Sequence, residues 1–92
     1  MIKKELIENV SVVTGMRKKD VSEIVNAVTS EIIKAVASGD SVRLVGFGTF
    51  APSVVKARAG KLNFGSGGTW ETPEHSVPKF KAGKEFKDAV AK

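Results

Sequence analysis

The chain has 92 residues, 41% of them hydrophobic, with a net charge of +5 and a sequence pI of about 9.7. That length makes one domain near the lower limit of what folds alone, and its apolar stretches outnumber what one small monomer can hide, so burial across a dimer interface is expected. With no cysteine, disulfides and thiolate metal sites are excluded; with no apolar run after Met1-Ile2-Lys3-Lys4 and no membrane-length segment, a soluble cytoplasmic protein is expected.

Ile2, Leu6, Ile7, Val10 and Val13 recur at helical spacing, and Lys3, Lys4, Glu8 and Asn9 fill the other face. Thr14-Gly15 should end this helix, with Gly15 as a left-handed cap. A longer helix follows, starting near Lys18 or Asp20, with Val21, Ile24, Val25, Val28, Ile32 and Val36 as one apolar stripe. Ser38-Gly39-Asp40 closes it. Two helices joined by a short turn resemble a sequence-reading helix-turn-helix. The second helix is instead committed to packing by its aliphatic stripe, and only Asn26 on it is of a base-reading type. The pair is read as a dimerisation layer.

Ser41-Val42-Arg43-Leu44-Val45 has the β-branched character of a strand, and Gly46-Phe47-Gly48 makes a tight connection. Thr49-Phe50-Ala51 begins the next strand, in which Pro52 marks an edge or bulge because it has no N–H to donate. Val54 to Lys61 extends that strand, the glycines of 63–68 form a loop or hairpin tip, and Thr69–Thr72 is the return strand. Val77-Pro78-Lys79-Phe80 leads back to the body. Gly83 precedes a last helix with Phe86, Ala89 and Val90 on its apolar face.

Ten residue steps from Val54 to Phe64 span roughly 33 Å at about 3.3 Å per step. A compact domain of this size has a radius of gyration of about 12 Å, so a straight hairpin projects from it. The charge lies on the same side of the chain. Residues 1–46 carry seven Lys/Arg and six Asp/Glu, whereas residues 47–92 carry eight and four. A basic two-stranded arm, with Lys56, Arg58 and Lys61 along it, suits a DNA groove. The bland alternatives are a loop without function and a basic surface that only aids solubility.

Catalytic chemistry finds little support. His75 is the only histidine and has no cysteine or second histidine with which to hold a metal. Gly65-Ser66-Gly67-Gly68 lacks the Lys-Ser/Thr ending and following helix of a phosphate loop, and Gly46-Phe47-Gly48 lacks the third glycine of a dinucleotide site. No cofactor is expected.

The stretch Gly39-Asp40-Ser41-Val42-Arg43-Leu44-Val45-Gly46-Phe47-Gly48-Thr49-Phe50 resembles the HU/IHF family of bacterial histone-like DNA-bending proteins. So do the opening Lys3-Lys4-Glu5-Leu6-Ile7 and the tail Val77-Pro78-Lys79-Phe80-Lys81-Ala82-Gly83-Lys84 with Phe86-Lys87-Asp88-Ala89-Val90. The likeness runs in order over nearly the whole chain. It implies an α+β fold: a two-helix dimerisation layer, an antiparallel sheet with a protruding two-stranded β-arm, and a short C-terminal helix, in an intertwined dimer. Residues 1–52 and 74–92 would form the body of a single domain, and 53–73 a flexible arm.

The function implied is sequence-tolerant binding, bending and compaction of double-stranded DNA through the minor groove and phosphates. The DNA-contacting set would be Lys3, Gly46, Gly48, Lys56, Arg58, Lys61, Asn63, Phe64, Lys81 and Lys84. The partner subunit would be an identical copy or a paralogue. The family's arm tip usually reads Arg-Asn-Pro-x-Thr-Gly, with the proline wedged between base pairs. Here the segment is Lys61-Leu62-Asn63-Phe64-Gly65-Ser66-Gly67, and one extra residue near Leu62 puts Phe64 where the proline would be. Ser53 and Val55 also stand where arginine is common. Phe64 is thus read as an apolar wedge; the alternatives are a cross-strand pair with Trp70 or mere self-association. Two other functional classes stay open: a viral or regulatory relative with its own DNA site or protein partner, and an interaction module whose basic charge is incidental.

Overall fold

Apolar residues spaced three and four apart build two helices, α1 (Lys3–Thr14) and α2 (Lys18–Ala37). The chain divides in a computed structural model into two units, Met1–Ala35, which holds α1 and all of α2 but its last two residues, and Val36–Lys92. The structure describes residues 1–61 and 69–91, with backbone alone at 60–61 and 69–70. Gly15 ends α1 with φ 72°, and its N–H donates to the Ser11 carbonyl, as the left-handed cap requires. The turn is stitched by side chains: the Ser11 hydroxyl donates to the Met16 carbonyl at 2.5 Å, and Thr14 Oγ1 accepts from the Met16 N–H at 3.2 Å.

The stripe of α2 is where expected, yet it lies largely open. Val21 is buried, at 2% exposed, but Ile24 and Val28 are half exposed. Val13, expected on the packed side of α1, is 85% exposed. Among the described residues Val21 is the one buried hydrophobic side chain, while sixteen large hydrophobics are exposed. A single copy does not supply the core its own sequence calls for.

The second unit holds β1 (Val42–Leu44), β2 (Gly48–Val55), β3 (Arg58–Lys61), β4 (Thr69–Thr72), β5 (His75–Ala82) and α3 (Lys84–Val90). An antiparallel sheet runs β1-β2-β5, and β3-β4 form a separate two-stranded ladder. Val45, expected to end the first strand, lies instead in the turn Leu44–Phe47, closed by the Phe47 N–H on the Leu44 carbonyl at 3.0 Å. Gly46 takes φ 82° at the third position, where a type II turn needs glycine.

Strand β1 pairs only as far as Phe50, so Pro52 lies where β2 has a neighbour on the β5 side alone, as an edge proline should. Pro52 faces Pro78 across that pair. Two prolines can exchange no N–H···O bond, so theirs is a narrow, non-bonded site of the ladder. Two residues along, Phe50↔Phe80 is a site of the same kind, and its rings pack tilted at 44° with centroids 4.8 Å apart. Phe47 and Phe86 complete the cluster, 5.3 Å from each other. Gly48 is buried beneath it: a Cβ there would come within 2.5 Å of the Phe80 ring.

The strand expected without a break over 54–61 is interrupted. Pairing in the three-stranded sheet runs on to Val55↔His75, stops, and resumes at Arg58↔Thr72. Both ladders keep one register, and the gap sets Lys56-Ala57 against Pro73-Glu74. Pro73 cannot donate a ladder bond, which accounts for the break at that point. The straight 33 Å hairpin therefore does not follow from strand length alone.

Candidate nucleic-acid interface

In the second unit the turn after β1, the end of β5 and the start of α3 meet around one open cleft. The Gly83 N–H donates to the Phe47 carbonyl at 2.8 Å, which ties the end of β5 to the turn. Gly83 also lies close enough to Phe47 and Gly46 that a Cβ there would be tight, at 3.2 Å. The cleft is lined by Gly46, Gly48, Lys81 and Lys84, four of the residues expected to face DNA, and also by Arg43 and Lys87.

Arg43 and Lys87 escaped the sequence reading, although a signal existed for each. Arg43 alternates with Val42 and Leu44, so it leaves their face of the strand. Lys87 lies three residues after Lys84, one helical turn along the same face. Gly48 lines the cleft but is buried, and it has a packing reason for being glycine besides any ligand. Gly46 needs glycine for its backbone angle.

In the first unit Lys3 donates through its ammonium to Asn26 Oδ1 on α2. A neutral amide orients the lysine without cancelling its charge. A shallow groove beside it is lined by Lys3, Lys4, Lys18 and Lys19 together with Ile7 and Glu8. Lys18 and Lys19 open α2, where the helix dipole disfavours cations, so helix stability does not explain them. That conflict was visible in the sequence and was not read as a site.

Lys56 is exposed in the gap between β2 and β3, and Arg58 is exposed at the first position of β3. Lys61 is the last residue of β3. Asn63 and Phe64, expected at the arm tip, lie outside the described residues. His75 is exposed on β5, with Nδ1 2.9 Å from the Pro73 carbonyl, a local contact at the ladder gap.

These features define a class: a small basic α+β chain with a separate β-ribbon and cationic clefts in both of its units. The model of the family described as bacterial DNA-binding protein matches residues 1–91. The chain is 44% identical over 90 residues to the DNA-binding protein HU of Geobacillus stearothermophilus, covering 98% of this chain and 99% of that one. To the DNA-binding protein HU-1 of Halalkalibacterium halodurans it is 46% identical at the same coverage. An HU of Anabaena, solved as a cocrystal with DNA, superposes with a TM-score of 0.90 at 41% identity, over 99% of this chain and 98% of that one. The chain belongs to the bacterial DNA-binding protein family of HU and its relatives.

Proposed function

We propose that this chain is a histone-like architectural protein that binds double-stranded DNA with little sequence preference, bends and compacts it, and works as a dimer. The observation that carries the reading is the full-length match to an HU solved on DNA, on a chain whose cationic residues line clefts beside glycine backbone. The dimer has its own support: among the described residues, sixteen exposed large hydrophobics against one buried valine need a second copy to cover them. The chain acts by binding and not as an enzyme, in the cytoplasm at the nucleoid.

In this reading Lys3, Lys81 and Lys84 hold phosphates, and the backbone at Gly46 and Gly48 lies near the duplex. Lys56, Arg58 and Lys61 run along the arm of 53–73, and Asn63 and Phe64 stand at its tip. Competition decides the function. Random-sequence duplex should displace a labelled duplex as well as the unlabelled same sequence does, and nicked or bent duplex should displace it better. A single sequence bound about a thousandfold tighter than scrambled DNA, the ratio typical of site-specific binders, would contradict it.

Phe64 is assigned the wedge. Phenylalanine serves this way in minor-groove architectural proteins generally, where unstacking a base step costs a few kcal/mol and the bend brings more phosphate into contact. Phe64→Ala should reduce bending, read by energy transfer between dyes on the duplex ends, more than it reduces affinity for DNA already bent. A mutant that bends linear duplex as far as the wild type removes Phe64 from this role.

A further inference from the structure

Two carboxylates line the cationic cleft, and one of them covers its glycine turn. Glu85, in the first turn of α3, lays its side chain over Gly46: Oε2 lies 2.6 Å, and Cδ 3.2 Å, from where a Cβ on that glycine would be. The cleft around it is lined by Arg43, Lys81, Lys84 and Lys87, with Asp88 as the other acid. Among the described residues Glu85 makes no ion pair and no hydrogen bond. Its negative charge is therefore not neutralised by a partner, and it covers the glycine whose missing side chain opens the turn to close approach. A phosphate settling beside Gly46 meets this carboxylate first.

We propose that Glu85 is an affinity-limiting residue: its carboxylate occupies the position beside Gly46 that a DNA backbone phosphate takes, so binding must displace it against like-charge repulsion. The inference rests on the DNA-binding function above and deepens it. Together with Asp88, Glu85 holds a cleft lined by four cations to a net +2, loosening the grip on DNA that a protein covering many sites must also release.

The test is duplex binding by fluorescence anisotropy, on the full chain, at several salt concentrations. Glu85→Gln is compared with wild type and with Glu31→Gln, which makes the same change in net charge on the exposed surface of α2. A unit charge a few Å from a phosphate in a water-like dielectric is worth about a fivefold change in binding constant. Glu85→Gln should therefore bind about fivefold tighter per cleft at low salt, and the advantage should shrink as salt screens it. Glu31→Gln should stay within about twofold of wild type.

If Glu85 serves only to stabilise the start of α3, Glu85→Gln lowers the melting temperature and leaves affinity unchanged or weaker, and the proposal falls. Equal tightening by both variants reduces the effect to overall charge and also overturns it. Wild-type protein that binds no duplex at low salt overturns the proposed function and this inference together. Wild-type binding without tightening by Glu85→Gln overturns this inference alone.

Discussion

Val28→Asp abolishes folding and association together. Val28 sits mid-way along the α2 stripe and is 48% exposed in one copy. The proposed dimer should cover that half, and burying a valine side chain contributes about 1.5 kcal/mol or more. Aspartate forfeits that and would carry a charge into the apolar stripe of the proposed interface. An uncompensated buried charge costs several kcal/mol, and two-fold symmetry puts one in each copy. Small domains have only about 5–15 kcal/mol of stability in all, so the variant should be unfolded at micromolar concentration by circular dichroism and monomeric by sedimentation. Val28→Ala removes apolar volume without adding charge and should yield a folded dimer of lower melting temperature. A well-folded monomer of Val28→Asp, or of the wild type at micromolar concentration, contradicts the dimer.

Lys84→Ala and Lys3→Ala weaken all duplexes alike. Lys84 lines the cleft beside Gly46, and Lys3 lines the groove of the first unit; in the proposed function each holds a backbone phosphate and neither a base edge. Phosphate contacts release counterions, and log K falls with log salt by about 0.9 for each phosphate neutralised. A dimer carrying the change in both copies loses two contacts, so its slope should become shallower by about two. At about 1 kcal/mol per contact, affinity at low salt should fall roughly thirtyfold. Titrations from low to moderate salt on two unrelated sequences measure both quantities. An unchanged slope, or a loss confined to one sequence, removes that lysine from the phosphate-binding set.

The helical layer was legible because its signals are local. The three-and-four spacing of Val21, Ile24, Val25, Val28, Ile32 and Val36 marks α2, and Gly15 after Thr14 marks the end of α1. Phe47 and Phe50 are gathered in one cluster with Phe80, which is far from them in the chain. Lys81, Lys84, Gly46 and Gly48 were picked through family resemblance and line a single cleft. Arg43 and Lys87 were not picked: strand alternation and the three-residue step from Lys84 mark their faces, but a cleft built from a turn, a strand end and a helix start joins residues about forty positions apart, and no local pattern says that those faces meet.

Chain order, the stripe of α2, the basic second half and the excess of apolar surface were settled by the sequence itself, since each follows from residue type and spacing. The tertiary structure alone decided the rest. Strand register set Phe50 against Phe80 and Pro52 against Pro78, and the same register placed Pro73 opposite Ala57, parting the β3-β4 ladder from the sheet. The packing of α3 against the turn laid Glu85 over Gly46. These depend on which backbone atoms come within a few Å after the chain has closed on itself. Periodicity records which face a residue takes, but it carries no information about what stands opposite.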